Sequence, residues 1–143
     1  MKAQDVARRV TPGSLVIGAD TIVFSQTGIL GKPQSNEEAF VMLKQLSGKT
    51  HEVLTGVAIV EAFSEKSLRS HEKTEVKFRD ITDEEIKAYI ATGETCDKAG
   101  SYGIQGLGAI FVEKINGCYF NVVGLPVSKV WSMLRSFGVE VLS

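Results

Sequence analysis

Cysteine, histidine, net charge and long apolar runs are all scarce in this chain, and each scarcity excludes something. Cys96 and Cys118 are the only cysteines among 143 residues, and no C-x-x-C pair exists. Two cysteines cannot staple a disulfide scaffold, so a reducing compartment, the cytoplasm, is expected. His51 and His71 stand far apart without ligand spacing, so a histidine-based zinc site is not expected. The 16 basic and 17 acidic residues give a formal net charge of −1. No global basic field exists, so nucleic acid is not an expected partner, and any anionic ligand must be held by a local cluster. No apolar run reaches the roughly 18 residues of a membrane span, and nothing at the start reads as a signal peptide, so no membrane association is expected.

What is present is an ordinary globular mixture. With 43% hydrophobic and 23% charged residues, a chain of this length can bury one core without staples, so a single domain over 1–143 is expected. β-Branched residues in "SLVIGADTIVF" (14–24) read as a buried strand, and "THEVLTGVAIVEAF" (50–63) as another. "SLRSHEKTEVKFRDI" (67–81) alternates in its second half and should pair with the latter across the polar turn "SEKS". Ser35 with Glu38 forms a capping box for a helix that ends at Gly48, with Ala39, Phe40, Leu43 and Leu46 on one face. Thr82 with Glu85 starts a second helix that turns Ile86, Tyr89 and Ile90 inward and ends at Gly93. "GAIFVEKI" and "CYFNVV" read as two strands of a hairpin around Asn116-Gly117. A last helix in "GLPVSKVWSMLRSFG" directs Val130, Trp131, Leu134 and Phe137 to the core. Helices alternating with hairpins predict a mixed-sheet α/β or α+β domain.

Three polar groups interrupt this pattern. Asp20, inside "LVIGADTIV", is either a strand-end carboxylate bonded to a neighbouring loop, or a general base or metal-binding carboxylate. Lys32, in "GKP", is aimed by the restricted backbone before Pro33, or is simply solvated. "DKAGSYGIQG" (97–106) gathers Asp97, Lys98 and Gln105 among three glycines, as a ligand-approaching loop or as a plain connection with a surface salt bridge. Its glycine spacing leads into a strand-like segment, which argues against a dinucleotide-binding turn. No G-x-x-x-x-G-K-[ST] exists. A carboxylate, two lysines and an amide are the parts of a nucleotide or phosphate site, because lysine meets phosphate as a point charge and a carboxylate can hold Mg²⁺.

"VIGADTIV", "GKP", "HEVLTGVAIV" and "DKAGSYGIQGLGAIFVEKINGCYFNVVGLP" resemble, in this order and spacing, the Maf family of nucleoside triphosphate pyrophosphatases, also called septum-formation proteins. The resemblance covers essentially the whole chain. It implies an elongated α/β fold, similar to inosine triphosphatases, with a central mixed sheet flanked by helices. It implies cleavage between the α and β phosphates, a divalent cation (Mg²⁺ or Mn²⁺) and a homodimer. Asp20 matches the proton acceptor, with metal binding also open to it. Lys32 and Lys98 match polar site positions, and Thr21 and Gln105 match positions linked to base selection. Lys2, in "KAQDVA", and Asp97 are weaker candidates.

Lys98 with Gln105 resembles the branch acting on dTTP and UTP, and modified pyrimidine nucleotides are further candidates; a second branch acts on 7-methyl-GTP. A non-catalytic nucleotide-binding or septum-regulating protein is the alternative. The family's N-terminal strand and its "S-S-P-R-R"-like phosphate-binding segment have no match here. The 143-residue chain is therefore expected to lack them, to leave a sheet edge open and to be a weak catalyst as it stands.

Overall fold

In a computed structural model, residues 2–7 and 11–142 are described. Helix α1 (Lys2–Ala7) precedes a hairpin of β1 (Leu15–Ser25) and β2 (Gly28–Leu30), then α2 (Asn36–Leu46). A long hairpin follows, β3 (Thr50–Glu61) with β4 (Ser67–Phe78), then α3 (Asp83–Ala91) and a loop with two short 3₁₀ turns. The chain closes with β5 (Val112–Asn116), α4 (Tyr119–Val123) and α5 (Val127–Arg135).

The strands form one sheet in the order β2-β1-β3-β4-β5. The α/β class is as expected, but every pairing among the described residues is antiparallel rather than mixed. The short returns after β1 and β3 fix that sense for β1–β2 and β3–β4, since a parallel pair needs a crossover. β1 lies along β3 from Leu15 to Phe24, whereas β2 covers only Val23 to Ser25 of its other edge. The outer edge of residues 15–22 thus has no strand partner among the described residues. That is why β1 is less buried than its apolar run suggests: Ile17 is 43% exposed and Val23 alone in the strand is fully buried.

Capping sets the helix starts. Ser35 Oγ accepts from Glu38 N at 3.1 Å. At α3 both halves of the box form, with Glu85 N donating to Thr82 Oγ1 and Thr82 N to Glu85 Oε1. The two helices cover one sheet face, where Leu43, Leu46, Phe78, Ile86 and Phe111 form the main core. Alternation along β3 divides its neighbours. Ala58 and Val60 pack with Ala3 and Ala7 of α1, while Val57 and Ile59 pack with Val130 and Met133 of α5. Trp131, Leu134 and Phe137, expected in the core, are half-buried.

The hairpin expected around Asn116-Gly117 does not form. β5 ends there and the next residues are α4, in spite of the β-forming "YFNVV". The reason is tertiary: Asn121 is fully buried, and its amide donates to Val53 O and Glu72 O at 3.1 Å and to Thr74 Oγ1 at 3.0 Å. Only a turn of helix brings that side chain onto β3 and β4, so local propensity is overridden. "GAIF" likewise winds into a 3₁₀ turn (Leu107–Phe111), and the strand starts at Val112.

Candidate active site

A cavity of about 460 Å³ opens where β1, the turn after β2, the loop after α3 and the end of α4 meet. Asp20, Thr21, Lys32, Asp97, Lys98 and Gln105 all line it. Residues separated by up to 85 positions in sequence therefore converge on one space. Lys2 opens α1, but its side chain lies outside the described residues.

β-Strand alternation puts Asp20 and Thr21 on opposite sheet faces. Thr21 is on the core face, where its Oγ1 meets Thr55 Oγ1 at 2.9 Å and donates to Gly124 O at 3.5 Å. Asp20 shares the other face with Gly18, on which α1 sits, and lies opposite Gly56 in register. Gly56 leaves open space beside the carboxylate. A second cavity of about 380 Å³ results, bordered by Ala3, Gly18, Asp20, Gly56 and Arg69. Asp20 borders both cavities because it stands, exposed, on the stretch of β1 whose outer edge has no strand partner among the described residues. Its carboxylate makes no hydrogen bond or ion pair with described residues.

The two lysines come from segments tied together by backbone. Gly100 N donates to Gly31 O at 3.1 Å, so the turn carrying Lys32 is docked on the loop carrying Lys98. Lys98 Nζ lies 3.1 Å from Asp97 Oδ1. That hydrogen bond holds the Asp97 carboxyl below its usual range, and the charges of Lys98 and Lys32 act in the same direction. Asp97 thus offsets part of the cationic charge of the pair. Gln105 is exposed and its amide makes no hydrogen bond with described residues, so it is available to a ligand.

The sequence reading missed four residues that frame the cavity. Tyr102 lines it, and its hydroxyl meets His51 Nε2 at 2.7 Å. His51 is buried between Tyr102 and Phe78, with edge-on rings at 5.4 and 5.0 Å. Burial lowers its pKa to about 4, so it is neutral at neutral pH, and burial likewise pushes the Tyr102 hydroxyl up. Asn121 anchors the stretch Val122–Gly124 that forms the cavity wall. Glu94 accepts from Leu107 N at 3.1 Å and Gly108 N at 3.2 Å and so closes the loop after α3. For Asn121 a signal existed, a lone amide within an apolar run; for Glu94 and His51 the polar residue has an equally ordinary surface reading in sequence.

No group of three or more His, Cys, Asp or Glu converges into a metal cage among the described residues. The donor set suits a different kind of site. Mg²⁺ commonly keeps several waters and is held by one or two carboxylates together with substrate phosphates. The free carboxylate of Asp20, facing a cavity with two lysines, fits that pattern.

Comparison with known proteins bears on the whole arrangement. Residues 1–137 match the family described as Maf-like protein. A "dTTP/UTP pyrophosphatase" of Syntrophomonas wolfei is 52% identical over 141 residues, covering 99% of this chain and 74% of that protein. One of the same name from Carboxydothermus hydrogenoformans is 53% identical over 137 residues, covering 96% and 73%. Another, from Clostridium kluyveri, is 50% identical over 141 residues, covering 98% and 73%. With a match over nearly its full length and identities of this size, the chain belongs to the Maf family.

Proposed function

We propose that this chain is a nucleoside triphosphate pyrophosphatase that hydrolyses dTTP and UTP, and modified pyrimidine nucleotides of the same edge chemistry, to the monophosphate and pyrophosphate. The carrying observation is the convergence of Asp20, Lys32, Lys98 and Gln105 on one cavity. The name shared by its relatives supports the substrate class.

In this reading Asp20 accepts a proton from the water that attacks the α-phosphorus, and the departing group is pyrophosphate. Lys32 and Lys98 bind non-bridging phosphate oxygens as point charges and steady the charge that gathers on the leaving group. The Gln105 amide N–H donates to O4 of uracil or thymine, and the base N3–H donates to the amide oxygen. Thr21 borders the base through the wall it shares with Gly124. Lys2 and Asp97 have supporting parts, Lys2 toward phosphate and Asp97 in holding Lys98. A divalent cation, Mg²⁺ or Mn²⁺, bound through Asp20 and the substrate, would neutralise phosphate charge.

The proposal extends to a cytoplasmic homodimer and to one domain over residues 1–143, with the family's arginine-bearing strand completing the phosphate site. The edge of residues 15–22, without a strand partner among the described residues, supports such a strand. No described helix is long and apolar enough to cross a membrane.

Pyrophosphate release from UTP with Mg²⁺ is the deciding measurement, on this chain and on one extended by the "S-S-P-R-R"-like segment. Release by either supports the enzyme. Binding of UTP without turnover by both would leave a non-catalytic nucleotide-binding protein instead.

A further inference from the structure

We infer that Glu94 is a positioning residue for base recognition, holding the backbone arch that presents Gln105 to the ligand. The inference rests on the reading of Gln105 as the base-contacting side chain.

Glu94 follows α3 directly, after the turn at Gly93. Its Oε1 accepts from the Tyr89 hydroxyl at 2.7 Å and from Gly108 N at 3.2 Å, and its Oε2 accepts from Leu107 N at 3.1 Å. The Tyr89 oxygen in turn accepts from Gly103 N at 3.0 Å. Both feet of the stretch 103–108 are thereby bound to one carboxylate, one foot directly and the other through Tyr89. Gly106 N donates to Gly103 O at 3.2 Å and tightens the arch between them. Gln105 sits at its crown, against the cavity, with its amide free of described partners.

The Glu94 carboxylate fills the space beneath the crown. A Cβ on Gly106 would lie 2.5 Å from both Glu94 carboxylate oxygens. A side chain at position 106 would have to push the Glu94 carboxylate off its backbone partners, a more specific reason for glycine than general loop freedom. Burial alone would raise the Glu94 carboxyl. The hydrogen bonds from Tyr89, Leu107 and Gly108, with the charge of Lys98, outweigh burial and hold it below its usual range. Glu94 is therefore an ionised acceptor of backbone N–H groups, the stronger kind of hydrogen bond. Its oxygens are occupied by the arch, so it acts through Gln105 and not on the substrate.

The test is the ratio of kcat/KM for UTP to that for CTP in the wild type, Glu94→Gln, Tyr89→Phe, Gln105→Ala and the double variant Glu94→Gln/Gln105→Ala. Glutamine keeps the size of Glu94 but turns an N–H₂ toward a backbone donor. Displacing the crown should lower UTP turnover roughly ten- to a hundredfold and CTP turnover only about threefold, since misplacement by an ångström has effects of that order. Tyr89→Phe, which removes only the hydroxyl bridge to Gly103, should change the ratio in the same direction even if Glu94→Gln folds poorly. In the Gln105→Ala background, Glu94→Gln should leave the ratio unchanged. Equal losses on UTP and CTP in Glu94→Gln and in Tyr89→Phe would make Glu94 a structural brace and overturn the inference. If Gln105→Ala itself leaves the ratio unchanged, the base-reading role of Gln105 fails and this inference falls with it. If Gln105→Ala abolishes the preference while Glu94→Gln and Tyr89→Phe do not, the inference alone falls.

Discussion

The backbone N–H of Gly100 donates to the carbonyl oxygen of Gly31 at 3.1 Å, and this bond couples the two lysine-bearing segments of the cavity. Gly100 has φ +74°, and a Cβ there would lie 3.3 Å from both methyl groups of Val23. Gly100→Ala should therefore destabilise the fold by about 1–2 kcal/mol, the penalty for a left-handed L-residue, before any effect of crowding Val23. Because the bond aligns Lys98 with Lys32, KM for the triphosphate should rise as well. Thermal unfolding and steady-state kinetics on the same preparation check both. An unchanged KM would mean that the lysines act independently of this junction.

His51 gives the fold a pH dependence of known sign. Its folded pKa, about 4, lies below the ordinary 6.5. The unfolded chain therefore binds the proton more readily, and the stability from neutral His51 is complete above the unfolded value and is lost as pH falls toward the folded one. The linked loss approaches roughly 3 kcal/mol between about pH 7 and about pH 4. His51→Phe removes this titration along with the bond to Tyr102. Denaturant titrations of both proteins at several pH values should give a shallower acid decline for the variant. Parallel declines would mean that His51 is protonated inside the fold.

Most of the frame was legible in the sequence because its signals are local. β-Branched residues marked β3 and alternation marked β4, Ser35 and Thr82 marked the helix starts, and glycines with positive φ stand at Gly48 and Gly93, where the helices stop. The cavity-lining residues were legible because polar side chains interrupt apolar strands at Asp20 and gather in one loop at Asp97, Lys98 and Gln105. The segment 116–123 misled because Asn-Gly and β-formers are local cues for a hairpin, whereas burying the Asn121 amide against β3 and β4 is a non-local demand. The same applies to Glu94, whose partners Leu107 and Gly108 are 13 and 14 residues ahead. A carboxylate that binds backbone N–H groups leaves no pattern of side-chain types to read.

Asp20 can be removed chemically without disturbing the packing around it. It is exposed on β1, and Gly56 leaves its neighbourhood open. Asp20→Asn should lower kcat for UTP by roughly 10²-fold or more, the usual effect of losing a positioned base. Its unfolding midpoint should stay close to the wild-type value, since exposed substitutions commonly shift stability by no more than about 0.5 kcal/mol. Pyrophosphate release with excess Mg²⁺ measures the first and thermal unfolding the second. Near-wild-type turnover in the folded variant would remove Asp20 from the reaction.

Base choice tests the crown of the arch. Gln105 offers both a donor and an acceptor, which match O4 and N3–H of uracil and thymine. Gln105→Glu keeps the acceptor and replaces the donor with a second acceptor, now facing O4. An acceptor left unsatisfied against another typically loses about 1–3 kcal/mol, so kcat/KM for dTTP and UTP should fall by roughly five- to a hundredfold. Cytosine carries an amino group at that position. CTP should therefore lose less than UTP, because its N4–H₂ can donate to the new carboxylate oxygen even though its N3 is an acceptor. Backbone contacts to Glu94 and Tyr89 are untouched by the change, so the arch itself should persist, and near-unchanged thermal stability would verify this. Measuring kcat/KM for UTP, dTTP, CTP and ATP side by side gives the answer. A uniform loss across the four would mean that Gln105 serves the phosphates or the loop rather than the base.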